Sequence, residues 1–156
     1  MTYLTVDAVK EPLKQFENFD ADTQLALLWY GYLDIKDQLQ PNPDHNTDGI
    51  SRAIVDKVVA MSKEDQFQAQ RDLANRADTD ISRQYGAASP PAKLEFWLLL
   101  AQGMESGEII NVPDDYQLPE HTSKFSSQIK ELDFEERINF VRNAVVKMGV
   151  NTTTLG

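Results

Sequence analysis

The segment AKLEFWLLLAQG at residues 92–103 constrains the fold more than any other part of this sequence. Ser89 can cap the start of a helix, and Pro90 and Pro91 suit its first turn. Apolar side chains then fall on nearly every side of one helix, at Leu94, Phe96, Trp97, Leu98, Leu99, Leu100 and Ala101. Because a surface helix keeps a polar face, this helix is predicted to run through the interior of the protein.

Composition limits the class of protein to which this helix can belong. A chain of 156 residues with 41% hydrophobic residues can bury the core of one domain. It contains no cysteine, which excludes disulfides and cysteine nucleophiles. The formal net charge of −10 argues against a nucleic-acid partner, because phosphate binding needs clustered Lys and Arg. No signal peptide or membrane-spanning segment is found, so we expect a cytoplasmic protein that does not span a membrane.

Apolar spacing and capping residues predict an all-α fold of seven or eight helices. A first helix begins near Val6 and is expected to be interrupted by Pro12. Asp20 caps a second helix over about residues 21–38. Its apolar stripe, at three- and four-residue spacing, predicts a largely interior helix and consists of Leu25, Leu28, Trp29, Tyr32 and Leu33.

The same signals predict the remaining helices and loops. Asp133 with Glu136 forms a capping box for the last helix, and Gly149 ends that helix. Loops are predicted at residues 40–48 and 108–121, where proline and asparagine accumulate. Further helices are predicted at about residues 49–61, from residue 62, near residues 80–85 and from residue 122.

No motif for catalysis or metal binding is present. His45 and His121 both lie in predicted loops, without a second ligand at metal-binding spacing. Adjacent carboxylates such as Glu135 and Glu136 are typical of solvated helix caps. A glycine-rich phosphate loop and a nucleophile elbow are also missing, so the sequence does not indicate an enzyme.

Aromatic residues on the two most apolar helices are the unusual feature of the chain. Trp29 and Tyr32 lie one turn apart on one helix, and Trp97 lies on the other. Such rings fill protein cores, but they also wall pockets for flat apolar ligands. Arg142 lies beside the apolar stripe of the last helix. Either its stem covers that surface with its head in water, or it stands at the mouth of an apolar pocket.

Four segments resemble, in the same order and with compatible spacing, the N-terminal domain of the cyanobacterial orange carotenoid protein. They are QLALLWYGYL at 24–33, DLANRADTDISRQY at 72–85, KLEFW at 93–97 and VRNAVVKMG at 141–149. The resemblance implies a helical carotenoid protein, a free-standing paralogue of that domain. It implies a short N-terminal arm and the start of the first helix at 1–19, a carotenoid-binding helical domain at 20–149, and a flexible tail at 150–156.

The resemblance further implies two interleaved four-helix bundles that enclose an apolar tunnel. One keto-carotenoid, such as canthaxanthin or echinenone, would be held there without a covalent bond, and a chloride ion is also compatible with the family. Leu98 departs from the family, which usually has a tyrosine at that position. The positions that match the tunnel are Leu25, Leu28, Trp29, Tyr32, Leu94, Trp97, Leu98, Ala101, Met104, Val112, Pro113, Tyr116, Arg142, Val145 and Met148.

The function implied by the resemblance is non-enzymatic photoprotection by quenching of singlet oxygen, in the cytoplasm near the thylakoid surface. One alternative is a constitutive quencher of phycobilisome excitation energy, and another is a pigment-free acidic helical adaptor. A separate carrier resembling the family's C-terminal domain is a further expected partner. The acidic net charge favours quenching of singlet oxygen over quenching of phycobilisome excitation, because docking to an acidic antenna needs a basic surface on this chain. The residues nearest to such a surface are Arg71, Arg76, Arg83, Arg137, Arg142 and Lys147.

Overall fold

A computed structural model describes residues 3–38, 49–112 and 116–150 of the chain. Within these ranges all regular structure is helical, which confirms the all-α fold class. Short 3₁₀ turns follow the second helix at Lys36–Gln38 and precede the seventh at Glu120–Thr122. The α-helices are α1 (Tyr3–Asn18), α2 (Ala21–Ile35), α3 (Ile50–Val59), α4 (Lys63–Asn75), α5 (Asp80–Gly86), α6 (Pro90–Ser106), α7 (Ser123–Lys130) and α8 (Phe134–Val146).

Side-chain caps begin the helices where the sequence predicts them. The Asp20 carboxylate accepts a 2.8 Å hydrogen bond from the backbone N–H of Thr23 at the start of α2. Hydrogen bonds from Thr23 also hold the pKa of the Asp20 carboxyl below its ordinary value. Asp133 and Glu136 form the predicted capping box of α8, with both reciprocal bonds present. The local chemistry of these caps therefore sets the helix starts independently of the tertiary fold.

The expectation that Pro12 interrupts the first helix is wrong. Pro12 does not interrupt α1, which is continuous from Tyr3 to Asn18. The reason is tertiary packing: α1 makes its most extensive contact with α8, and Val9 and Phe16 are fully buried on either side of the proline.

The expectation that α2 is largely interior also holds for only part of the helix. Residues 23–27 are buried, whereas Leu28, Trp29 and Tyr32 are half-buried and Leu33 is 38% exposed. The first part of α2 packs against α4, and contact with α6 is sparse. The aromatic part of α2 therefore faces a gap rather than a packed neighbour.

The helices form two groups, one built from the two ends of the chain and one from its middle. The first group brings the two ends together, since α1 packs against both α7 and α8. The second group consists of α3, α4, α5 and α6, which pack on one another. Helix α6 also contacts α8 and α2, so it joins the groups and runs through the interior as predicted. No helix in the described ranges has both the length and the apolar character needed to cross a bilayer.

Tyr85 lies where three of the four segments that resemble the family meet. Its side chain is fully buried, and its hydroxyl donates to the carbonyl oxygen of Val145 while accepting from Trp97 Nε1 at 3.0 Å. Burial raises the pKa of this hydroxyl above its ordinary value. Gly149, at φ +76°, follows α8 and donates its N–H to the carbonyl oxygen of Leu73 at 2.8 Å. These contacts hold the end of α8 against α4, α5 and α6.

Candidate ligand-binding site

An apolar cavity lies between α2 and α6, and we name it the aromatic cavity. Its volume is about 40 Å³. Both helices contribute half-buried side chains to the gap, such as Trp29 of α2 and Leu98 of α6. The lining residues are Leu28, Trp29, Tyr32, Ile35, Leu94, Trp97, Leu98, Ala101, Met104 and Val141.

The rings of the aromatic cavity are held in defined orientations. Trp29 and Tyr32 stack with their centroids 5.8 Å apart and 28° between their planes. Trp97 meets Phe96 edge-to-face at 5.4 Å, and its Nε1–H donates to the Tyr85 hydroxyl. Because the polar atom of Trp97 is already satisfied, its ring presents only apolar surface to the cavity.

A polar contact closes one end of the gap between α2 and α6. The Tyr32 hydroxyl donates to Glu105 Oε1, and Lys36 Nζ donates to Glu105 Oε2, both at 2.6 Å. Burial, and then the bond to Glu105, raises the pKa of Tyr32 to about 12. Lys36, followed by Tyr32, lowers the pKa of the Glu105 carboxyl. The lysine also offsets the unfavourable placement of a carboxylate near the C-terminal end of α6.

A second cavity, the loop cavity, lies between α2, α4 and the loop after α6. Its volume is about 180 Å³. Met104 lines both cavities, so the two meet at one flexible side chain that can change rotamer readily. The lining residues are Asp22, Leu25, Ala26, Phe67, Gln70, Met104, Ile110, Asn111, Val112 and Tyr116.

The loop that forms this wall is pinned to the helices. Gln66 Nε2 donates to the carbonyl oxygen of Glu108 at 3.0 Å, and Gln66 Oε1 accepts from the N–H of Ile110 at 2.8 Å. Ile109 packs directly on Gly103, where a Cβ atom would lie 2.6 Å from Ile109 Cγ1. The position of the loop relative to α4 and α6 is therefore determined by buried contacts.

Most of the residues predicted to form the site line one of these cavities, and the rest lie elsewhere. Arg142 is exposed, which agrees with the alternative that its head is in water. Val145 and Met148 belong to the core and line neither cavity, and Pro113 falls outside the described residues. The predicted residues that line a cavity are Leu25, Leu28, Trp29, Tyr32, Leu94, Trp97, Leu98, Ala101, Met104, Val112 and Tyr116.

Sequence reasoning missed several wall residues for which a signal existed. Ile35 continues the apolar spacing of Leu28 and Tyr32 along α2, and it lines the aromatic cavity. Phe67 and Gln70 lie one turn apart in the helix predicted from residue 62, and both line the loop cavity. Their approach to α2 is a tertiary contact that no local pattern indicates.

Of the two histidines noted in the sequence, His121 lies within the described residues. The Phe19 and His121 rings lie 5.4 Å apart, and His45 is outside the described residues. Across residues 3–38, 49–112 and 116–150, no group of three or more His, Asp or Glu side chains is arranged to hold a metal ion.

Comparison with known proteins identifies what the chain is similar to. The sequence profile described as "Orange carotenoid protein, N-terminal" matches residues 2–151. An "Orange carotenoid-binding domain-containing protein" from Nostoc sp. is 34% identical over 148 residues, which are 94% of this chain and 86% of that protein.

Solved structures of the same fold agree closely with this one. The Red Carotenoid Protein of Anabaena (Nostoc) sp., binding a mixture of carotenoids, superposes with a TM-score of 0.80 at 33% identity over 91% of this chain and 98% of that chain. The Orange Carotenoid Protein of Anabaena (Nostoc) sp., binding canthaxanthin, superposes with a TM-score of 0.86 at 32% identity. The match covers 94% of this chain and 48% of that one, so the chain spans about half of the longer relative.

Proposed function

This chain belongs to the orange carotenoid protein N-terminal family, and from that premise we propose that it binds one keto-carotenoid without a covalent bond. The observation that carries the proposal is the pair of apolar cavities that meet at Met104, one of them walled by Trp29, Tyr32 and Trp97. Together they form an apolar path between α2 and α6 that continues to the loop after α6. A long polyene with a ring at each end has the matching shape.

The charged group and two of the aromatic polar atoms along this path are engaged within the protein. Trp97 Nε1 donates to Tyr85, the Tyr32 hydroxyl donates to Glu105, and Asp22 is paired with Arg71. A neutral apolar rod therefore meets no unpaired charge on the walls. Burial of its surface contributes roughly 25 cal/mol per Å², and contact with the rings adds dispersion energy.

Binding requires the walls of the aromatic cavity to move apart. Its volume of about 40 Å³ is well below the ~150 Å³ that admits a benzene ring. The side chains that have to move are half-buried, at Leu28, Trp29 and Leu98, and α2 contacts α6 only sparsely. We therefore expect rotamer changes and a small shift of α2 on uptake, while the Trp97–Tyr85 contact stays in place.

Singlet-oxygen quenching is the photoprotective activity that we propose, with the bound polyene supplying the quenching itself. The protein holds the pigment in a fixed position and separates it from water, while a small neutral molecule can still diffuse to it. The alternative, quenching of phycobilisome excitation, requires docking to an acidic surface. Because that antenna is a separate assembly, a docking site for it on this chain must be exposed. Because the antenna surface is acidic, the docking site must also be basic.

The pairing of several basic residues supports ranking singlet-oxygen quenching ahead of phycobilisome quenching. Arg137 donates to the backbone carbonyls of Leu132 and Lys130. Among the residues that the structure describes, nine exposed cations have no ion pair, namely Lys10, Lys14, Arg52, Lys57, Lys63, Arg76, Lys124, Lys130 and Arg142. Neighbouring carboxylates pair with Arg71, Arg83 and Lys147. Three of the six residues nearest to a basic surface are thus neutralised locally, and the formal net charge of −10 further disfavours an acidic antenna as a partner.

The proposal is tested by producing the chain in a host that makes keto-carotenoids and in a matched host that makes none. A visible absorption band that co-purifies with the protein in one pigment per chain is expected only from the first host. The pigmented protein should then protect a singlet-oxygen sensor dye better than the apoprotein at equal concentration. A colourless product would contradict carotenoid binding and favour the adaptor alternative.

A second measurement separates the two photoprotective activities. Phycobilisome fluorescence is recorded with the pigmented protein in excess, at low and at high phosphate concentration. We expect fluorescence to change little at either concentration. Deep quenching would reverse the order of the two activities.

A further inference from the structure

Gln70 on α4 is a buried amide in the wall of the loop cavity. Its side chain is 2% exposed, and it faces α2 and the loop after α6. Its amide nitrogen Nε2 is shielded from solvent and has no hydrogen-bond partner among the described residues. Buried donors without a partner are rare in native proteins, and each one calls for an explanation.

Gln66, one turn earlier on the same helix, is a buried glutamine whose amide is fully hydrogen-bonded. Gln66 is 1% exposed, and both ends of its amide are engaged by the loop. Gln70 is as deeply buried, but it lines the cavity instead of the pinned part of the loop. The difference between the two amides is therefore one of position, not of depth.

None of the described groups around Gln70 accepts a hydrogen bond from its nitrogen. The side-chain oxygen of Asn111, which lines the same cavity, accepts from the N–H of Val112 at 2.7 Å. Both carboxylate oxygens of Asp22 are engaged by Arg71, at 2.8 and 3.1 Å. The Arg71 guanidinium is in turn held 4.0 Å over the ring of Phe67. Leu25 and Met104 complete this part of the wall with apolar surface. The unpaired donor thus points to an acceptor that the ligand brings.

We propose that the ring of the ligand that occupies the loop cavity carries an oxygen atom, keto or hydroxyl, which accepts a hydrogen bond from Gln70 Nε2. This inference rests on the proposed function and adds a specificity residue to it. The cavity volume of about 180 Å³ exceeds the ~150 Å³ that admits benzene, so the loop cavity has more room for an end ring than the aromatic cavity has. Gln70 then selects oxygenated end rings over hydrocarbon ones.

The size of the selection follows from the strength of one buried hydrogen bond. A hydrocarbon ring leaves the amide donor unpaired, whereas an oxygenated ring satisfies it. We expect about tenfold tighter binding of a carotenoid with oxygenated end rings than of β-carotene. Replacing the amide by an apolar side chain of similar length should abolish this ratio.

The test compares three pigments on three forms of the full chain. Apoprotein is titrated with canthaxanthin, zeaxanthin and β-carotene, which carry keto, hydroxyl and no end-ring oxygen, and the dissociation constants are compared. The variants are Gln70→Met and the matched control Gln68→Met, whose parent amide is exposed on the same helix and bonds to Asp72. Wild type and Gln68→Met should prefer an oxygenated pigment about tenfold, and Gln70→Met should bind all three equally.

A vibrational spectrum gives an independent measurement. One C=O stretching band of bound canthaxanthin should lie at lower frequency in the wild type than in Gln70→Met, because a hydrogen bond weakens the carbonyl bond. If Gln70→Met does not fold, two wild-type measurements still test the inference: the C=O stretching frequency of bound canthaxanthin, and the ratio of the dissociation constants for oxygenated pigments and β-carotene. Equal binding of all three pigments by the wild type would overturn this inference and leave carotenoid binding intact. Failure to bind any pigment would overturn both.

Discussion

The hydroxyl of Tyr32 on α2 donates a 2.6 Å hydrogen bond to Glu105 near the end of α6. This bond spans the gap that contains the aromatic cavity, at a place where the two helices otherwise make little contact. Lys36 completes the arrangement from the turn that follows α2. The three side chains therefore hold the walls of the proposed pigment site together while leaving its apolar surface free.

Removal of this bond should loosen the site without removing a ring. In Tyr32→Phe the aromatic wall remains, but α2 is no longer tied to Glu105. We expect faster exchange of bound pigment, with a several-fold increase in the rate at which it transfers to empty liposomes. The helix content by circular dichroism should not change. Unchanged transfer rates would mean that the bond does not restrain the site.

The same bond predicts a dependence of stability on pH. The folded protein holds the proton of Tyr32 more tightly than the unfolded chain, because the pKa is raised from 10.0 to about 12. This contribution is complete below pH 10 and is lost as the pH rises through 12. The lowered pKa of Glu105 acts at acidic pH. Its contribution to stability is present above pH 4.5, the ordinary pKa of the carboxyl, and is lost as the pH falls below that value.

The measurement is the free energy of unfolding of the apoprotein in urea across this pH range. The difference between wild type and Tyr32→Phe should be constant from about pH 6 to pH 9 and should shrink above pH 10. Two curves that stay parallel up to pH 12 would contradict a protonated Tyr32 as the donor.

Trp97 is predicted to act both in the fold and on the pigment. Its side chain is 7% exposed and donates to Tyr85, so Trp97→Ala should lower the unfolding free energy by roughly 3–5 kcal/mol. The matched control is Phe96→Ala, since Phe96 is fully buried beside Trp97 and lines neither cavity. Both variants should destabilise the apoprotein to a similar degree, but only Trp97→Ala should also weaken pigment binding. Equal pigment affinity in the two would assign Trp97 to the core alone.

Two glycines provide a matched pair that tests the docking of α8. At Gly86 a Cβ atom would lie 1.7 Å from the carbonyl oxygen of Val150, whereas at Gly31 nothing lies within 4 Å. Gly86→Ala should cost about 2 kcal/mol or more, because backbone has to move. Gly31→Ala, inside α2, should instead stabilise by up to about 1 kcal/mol through helix propensity. Urea unfolding of both variants checks the prediction, and equal effects would refute the close approach at Gly86.

Arg142 is expected to be dispensable for pigment binding. It is exposed and lines neither cavity. Arg142→Ala should therefore leave the absorption spectrum and the pigment affinity unchanged. If phycobilisome fluorescence proves to be quenched by the wild type and this quenching is lost in Arg142→Ala, Arg142 belongs to an antenna-docking surface. A shifted absorption band in the variant would instead indicate that Arg142 contacts the bound pigment.

Local signals made the helices and much of the site predictable. Asp20, Ser89 and Asp133 cap helices where their sequence context indicates, because a cap needs only backbone N–H groups a few residues away. Similarly, Trp29, Tyr32 and Trp97 were predicted to wall an apolar site, and all three line the aromatic cavity. The resemblance supplied their pairing across two helices, which periodicity alone does not contain.

Only the tertiary structure decided which apolar residues face a cavity and which face the core. Val145 and Leu98 are both apolar helix positions, but Val145 is enclosed by packed helices and Leu98 faces the gap beside α2. Pro12 stays helical because α8 stabilises the helix around it. Gln70 Nε2 is enclosed by α2 and the loop but bonds to none of the described residues. The sequence by itself determined the helices, their caps and their apolar faces, since these depend on neighbours within one or two turns. The gap between α2 and α6 depends on contacts between residues far apart in the chain, and these form only when the helices pack.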